Sequence, residues 1–210
     1  MIYNEKFVWL HFPKCAGTKI GHLLTEYFSN QAGLFQDHFT IDKDPLVSWH
    51  DSIADRKERD PLFELGSRTI VCSFRRLPSW LESRYNFEYL RSPKLPHRPE
   101  QLLEGRFLES GGYNNHADYY VKKYLPEEIL ETGRVRFLRT EFFESDFKAI
   151  FGDYLDISII PAREFKKKVN VSKRCLPDDI REQLYVRSHE VYEACPYWQR
   201  VEELAYRDSE

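Results

Sequence analysis

The segment that most constrains this chain is FVWLHFPKCAGTKIGHLL, Phe7 to Leu24. Phe7 to Phe12 is a compact apolar run stopped by Pro13, which suits a buried strand. From Gly17 the period changes. Ile20, Leu23, Leu24, Tyr27 and Phe28 recur at helical spacing, so one helix face is apolar, and Gly33 is a plausible stop. A strand, a tight loop and a helix therefore fit into about 28 residues. Gly17 and Thr18 at the turn place backbone N–H groups at a helix N-terminus, where partial positive charge suits an anion. Lys14 adds a full charge and Thr18 a hydroxyl donor, the logic of a phosphate loop. The plain alternative is a strand-to-helix turn with an incidental lysine.

The loop departs from the Walker pattern GxxxxGK[ST]. Its first glycine is missing, and Lys19 follows Thr18 instead of preceding it. ATP hydrolysis or kinase chemistry on that plan is disfavoured.

A net charge of −3 excludes a chain that coats nucleic acid, so an anion site has to be a local cluster. A single domain over residues 1–210 is expected. No run of 18 apolar residues spans a membrane, and MIYNEKFVWLHF reads as a first strand, not a signal peptide. Cys15, Cys72, Cys175 and Cys195 are too scattered for zinc or a disulfide framework, so free thiols and a cytoplasmic location are expected.

Further strands are expected at Thr69 to Phe74 and Arg134 to Leu138. Helices are expected near Ser52 to Lys57, Pro78 to Leu90, Glu141 to Phe151, Asp178 to Ala194 and Tyr197 to Tyr206. Another helical face is marked by Tyr113, Ala117, Tyr120, Val121 and Tyr124. Arg91 to Gly112 reads as a long excursion. Alternating strands and helices predict an α/β fold with a central parallel sheet covered on both faces.

The second strand runs into SFRRLPSWLESRYNF, Ser73 to Phe87. Ligands of parallel sheets collect beyond the carboxyl ends of strands. Arg75, just past the strand, could grip a phosphate bidentately, and Ser83, eight residues on, could complete it. The two motifs together resemble the sulfotransferase family that uses 3′-phosphoadenosine-5′-phosphosulfate (PAPS), more narrowly its heparan and chondroitin branch. HFPKCAGTKI resembles that family's HIPKTAGTSL-like loop for the 5′-phosphosulfate. RRLPSWLESRY resembles its RDPxxRLxSxY element for the 3′-phosphate, with Arg75, Ser83 and Tyr85 at matching spacing. FLRTEFFESDF and KKVNVSKR match later elements less specifically. Cys15 stands where threonine is common, Lys19 where a small residue is common, and Leu77 where proline is usual.

The resemblance implies a P-loop-type three-layer fold and sulfuryl transfer from PAPS to a hydroxyl or amine, leaving adenosine 3′,5′-bisphosphate (PAP). Lys14 would neutralise the leaving phosphate. Backbone N–H groups from Cys15, Ala16, Gly17, Thr18 and Lys19 would hold the 5′-phosphate, and Arg75 and Ser83 the 3′-phosphate. No metal is required. A histidine suits the base that takes the acceptor's proton. His50 lies where the family often has one, with His38 as the alternative and Glu82 and Asp51 behind them. The Lys166-Lys167-Lys168 run, with Lys173 and Arg174, is either a solvated face or a cover for the nucleotide. The tyrosines at 113, 119, 120 and 124 are core packing or an acceptor cleft. The acceptor, a saccharide, lipid or small metabolite, would be read by residues 36–66 and 91–112. The rival readings are a nucleotide-dependent kinase with an altered loop and a nucleotide-binding protein without transfer. Oligomeric state is open.

Overall fold

The computed structural model describes residues 1–31, 33–36, 48–167, 169 and 173–207. The described strands are β1 (Ile2–Tyr3), β2 (Phe7–Leu10), β3 (Phe35–Gln36), β4 (Thr69–Phe74), β5 (Arg106–Leu108), β6 (Asn114–His116) and β7 (Val135–Arg139). The helices are α1 (Gly17–Phe28), α2 (Ile53–Arg59), α3 (Leu77–Arg91), α4 (Ala117–Tyr124), α5 (Glu127–Leu130), α6 (Phe143–Phe151), α7 (Ala162–Lys166), α8 (Asp178–Val186), α9 (Ser188–Ala194) and α10 (Pro196–Tyr206). The chain divides into two compact units, one of Met1–Phe74 with Glu127–Val169 and one of Arg75–Pro126 with Asn170–Glu210.

The first unit is α/β. Its five-stranded sheet has the order β3-β1-β2-β4-β7 and is flanked by helices. The sheet is mixed, not parallel throughout as the sequence pattern predicts. Strands β2, β4 and β7 run parallel, whereas β1 lies antiparallel to both β2 and β3. The cause is local. Asn4 Oδ1 accepts from the N–H groups of Lys6 and Phe7 at 2.8 and 2.9 Å, which folds residues 4–7 into a tight turn. That turn splits the N-terminal segment into two short strands where one was expected.

One face of the sheet gives Phe7, Trp9, Val71 and Leu138 to a core shared with Ile20, Leu23, Leu24 and Phe28 of α1 and with Phe147, Ile150 and Phe151 of α6. Val8, Leu10, Ile70 and Cys72, pointing the other way, are also fully buried. This is why the central strands read as unbroken apolar runs without alternation. Because β2 and β4 pair in parallel from Phe7↔Thr69 to Leu10↔Cys72, the loop after β2 and the end of β4 lie at the same edge of the sheet.

The second unit is mainly helical, with the β5–β6 hairpin beside α3, α4 and α8–α10. Trp80, Phe107 and Trp198 form its aromatic centre, with Trp80 4.6 Å from Trp198 and 5.5 Å from Phe107 between ring centroids. Buried carboxylates order the helix ends. Asp118 of α4 accepts from the N–H groups of Tyr197 and Trp198 at the start of α10, at 3.1 and 2.8 Å. Glu202 of α10 in turn accepts from the Leu77 N–H at the start of α3, at 2.9 Å. A negative group at each helix N-terminus offsets the local positive charge. The helix expected over 178–194 is broken at Arg187, which has φ −97° and ψ 29°.

Candidate functional site

The loop between β2 and α1 bends sharply. Lys14 and Ala16, neither a glycine, adopt left-handed backbone conformations with φ of 63° and 58°. Such conformations cost about 1–2 kcal/mol per non-glycine residue, so the surrounding packing must hold them. Ala16 is the residue before α1 and offers no side-chain cap. Its carbonyl accepts from the N–H groups of Lys19 and Ile20 at 2.9 and 3.1 Å. Among the described residues no hydrogen bond reaches the N–H of Ala16 or Gly17, and the first turn of α1 holds no acidic residue. Where Asp118 and Glu202 neutralise the starts of α10 and α3, the start of α1 keeps its positive end.

Gly17 is required here by space. A Cβ at this position would lie 1.8 Å from Nε2 and 1.9 Å from Cδ2 of His11. His11 is only 5% exposed and sits in a cluster of rings. Its centroid is 5.1 Å from Trp9, 4.3 Å from Trp49 and 4.4 Å from His50. Burial first, then the nearby His50 and the amino group of Met1, hold the His11 pKa well below the usual histidine value, so the ring is neutral.

His50 ends the short 3₁₀ turn Ser48–His50, just before the Ser52 capping box that starts α2. Its Nδ1 lies 3.0 Å from the carbonyl oxygen of His11. A carbonyl only accepts, so Nδ1 carries the proton and the lone pair of the neutral ring is on Nε2. That is the tautomer a general base needs. The structure thus brings His11 and His50 together beside the loop. His50 was expected from its position in the sequence, and His11 was not. The available signal was its position at the head of HFPKCAGT, five residues inside the strand run and six before the only residue that can tolerate its ring.

The remaining loop residues divide by environment. Lys14 is half-buried, Thr18 is exposed and Cys15 is fully buried. Cys15 lies near Cys72, whose thiol pKa is pushed well up by burial and by that neighbour. Lys19 turns away from the loop. Its Nζ donates to the Phe165 carbonyl and stands 4.4 Å over the Phe143 ring. Burial lowers its pKa against the opposing pull of Glu144 and Glu164. With its amide already bonded to Ala16, Lys19 serves to tie α1 to α6 and α7.

Arg75 and Ser83 belong to the second unit. Arg75 follows β4 directly and is half-buried, and its charge reaches Tyr185. Burial and a hydrogen bond to Glu82 nevertheless raise the Tyr185 hydroxyl to about 12. Ser83 is half-buried on α3, with no hydrogen bond to its hydroxyl among the described residues. Tyr85 is buried, and its hydroxyl too is raised to about 12, chiefly by burial. Leu77 donates the N–H that Glu202 accepts, a bond that proline could not make.

Two weaker base candidates are engaged elsewhere. Glu82 accepts from Arg181 at 2.8 Å and Tyr185 at 2.7 Å. Asp51 is paired with Arg59 at 2.9 Å and Arg56 at 3.6 Å. His38 and Lys168 lie outside the described residues. Lys166, Lys167, Lys173 and Arg174 are exposed. Tyr124 is buried and Tyr120 bonds Arg84 and Glu109, so those two tyrosines are packing, whereas Tyr113 and Tyr119 face solvent. All four cysteines are free thiols.

His116, Asp118 and Cys195 bring ligand-type atoms within 4.8 Å of one another. Their bonds oppose metal binding. His116 Nδ1 accepts from the Asp118 N–H at 3.2 Å, which puts the ring proton on Nε2, the atom facing Cys195 at 3.9 Å. The Asp118 oxygens are used by α10, and burial raises the Cys195 thiol to about 12. The trio is a helix-capping joint.

Among the described residues no helix is long and apolar enough to cross a membrane. Comparison with family models, with curated proteins and with solved structures returns no match.

Proposed function

We propose that the chain is a PAPS-dependent sulfotransferase, with a P-loop-type fold in its first unit. The observation that carries this reading is the uncapped start of α1, with its left-handed lysine and alanine, next to a histidine held in the basic tautomer. PAPS supplies an activated sulfuryl group. The N–H groups at Ala16 and Gly17 would orient its 5′-phosphate, and Lys14 would offset charge gathering on that phosphate as the sulfur–oxygen bond breaks. Nε2 of His50 would accept the proton of the acceptor hydroxyl or amine as its oxygen or nitrogen bonds to sulfur. Positioning and electrostatics, not covalent chemistry by the protein, then carry the reaction. Arg75 and Ser83 keep the role that the resemblance implies, recognition of the 3′-phosphate.

Thermal melting with PAP and with ATP tests this reading. PAP should stabilise the protein clearly more than ATP, and Arg75→Ala should erase the difference. Equal stabilisation of the wild-type chain by both nucleotides would refute it. His50→Ala should lower sulfuryl transfer while sparing PAP binding. Transfer at the wild-type rate in that variant would remove His50 from the base role.

A further inference from the structure

We propose that His11 is the proton-accepting wall of the anion site, so that loading the loop with a phosphate dianion takes one proton from solvent onto the His11 ring. The inference rests on the nucleotide-binding reading above and adds a residue and a proton to it.

The position of the ring is the first support. In a helix each Cα–Cβ bond tilts toward the N-terminus. The His11 ring fills the place where a Gly17 Cβ would stand, with Nε2 as its nearest atom. It therefore lies on the N-terminal side of Gly17, where the unbonded N–H groups are. The second support is its bonding. His11 is 5% exposed, yet neither ring nitrogen has a hydrogen bond among the described residues. Buried polar groups normally find partners, and the His11 nitrogens, which are not among the fully buried unpartnered atoms, keep an opening through which a ligand or a proton can reach them.

Among the described residues, the charged groups that face His11 are His50, from the 3₁₀ turn, and the amino group of Met1, just before β1, whose N–H donates to the Trp49 carbonyl at 3.1 Å. Both are cationic when protonated and both disfavour charge on His11. Trp9 and Trp49, which complete its walls, do not titrate at ordinary pH. No described neighbour is anionic, so without a bound anion His11 stays neutral. A dianion at the start of α1 reverses the balance, because an opposite charge within a few ångströms favours the protonated ring. The proton comes from water, and the bound state gains one hydrogen bond from ring to anion.

This has a consequence for His50. The two rings are 4.4 Å apart between centroids, and two imidazolium charges at that distance repel. A proton on His11 therefore opposes a proton on His50. The loaded site would hold its base in the neutral form that it needs.

Calorimetric titration of PAP into the whole chain at neutral pH, in two non-phosphate buffers of different ionisation enthalpy, counts the protons exchanged. The phosphates of PAP exchange protons too, so the reading is the difference between wild type and His11→Asn. About one more proton should be taken up by the wild type, and affinity for PAP should fall more steeply with rising pH than in the variant. Equal proton counts would overturn the inference. If His11→Asn does not fold, ¹⁵N-histidine NMR of the wild type gives the answer, with the His11 signals assigned by their through-space contacts to the Trp9 and Trp49 rings. The His11 ring should pass from the neutral to the imidazolium pattern as PAP saturates. A ring that stays neutral with PAP bound overturns the inference and leaves the nucleotide-binding reading intact. Failure of PAP to bind at any pH refutes both.

Discussion

Replacing Gly17 with alanine tests the packing on which the whole site depends. Gly17 is the first residue of α1 and its φ is not positive, so its backbone would accept alanine. In open space the change would stabilise the helix by up to ~1 kcal/mol. Space reverses the sign. The new methyl would stand 1.8 Å from His11 Nε2, well inside contact distance. The ring cannot simply swing aside, because Trp9, Trp49 and His50 surround it with centroids at 5.1, 4.3 and 4.4 Å. Overpacking of this kind costs roughly 1–3 kcal/mol. At about 2–4 °C per kcal/mol for a chain of this length, melting should drop by roughly 2–12 °C. Urea unfolding followed by tryptophan fluorescence would report the loss. A second substitution identifies its origin. In the His11→Ala background the clash is gone, and Gly17→Ala should be neutral or mildly stabilising, a non-additive pair. If Gly17→Ala is as stable as wild type, or costs the same with and without His11, the close packing of ring on glycine is refuted.

Other outcomes follow from the same contacts. Leu77→Pro keeps an acceptable residue at the first turn of α3 but deletes the N–H bonded to the buried Glu202, and should cost ~1–3 kcal/mol in urea unfolding. Glu202→Gln beforehand should shrink that cost, and an unchanged midpoint in Leu77→Pro would refute the capping role. Stability without nucleotide should also fall with acid. The folded chain resists protonating His11 while the unfolded chain, with a pKa near 6.5, does not, so ν in the unfolded state exceeds ν in the folded state and stability declines as pH drops through 6.5. Comparing urea midpoints of wild type and His11→Asn from neutral to mildly acidic pH checks this. Parallel pH profiles would exclude His11 as a source of the acid sensitivity.

What could be read from the sequence was what depends on neighbours in the chain. The run Thr69 to Phe74 becomes β4 with the same bounds, and the helical period from Gly17 becomes α1, because burial on both faces or on one is written directly in residue order. The start of α2 near Ser52 was legible for the same reason, whereas its capping box came only with the structure. The mixed sheet was not. The Asn4 turn that reverses the chain between β1 and β2 spans only residues 4–7 and leaves no periodic trace. The β5–β6 hairpin was hidden too, since RFL and NNH are too short to alternate and lie in a stretch rich in proline and glycine. Within the site, Lys14 and Gly17 stood out by type and spacing. Gly17 was read as presenting backbone N–H groups at the turn, and the structure adds the room it leaves for a ring six residues earlier. Lys19 was read as a backbone donor to phosphate; its N–H donates to the Ala16 carbonyl, and its side chain runs to Phe165, 146 positions away.

The two histidines illustrate why such a site is hard to decode from residue type alone. Both are histidines near one loop, yet their surroundings push them toward different work. His11 is buried, its neighbours His50 and the Met1 amino group disfavour charge on it, and no described residue hydrogen-bonds its ring, so in the inference above its charge state depends on whatever sits at the start of α1. His50 spends Nδ1 on the carbonyl of His11 itself, so its lone pair is fixed at Nε2 whether or not the loop is loaded. The backbone of one histidine thus sets the tautomer of the other, while its ring sets the electrostatic cost of charging that other. Exchange either residue for a neutral isostere and the two functions should separate: proton uptake on binding follows the ring at position 11, and base strength follows the ring at position 50.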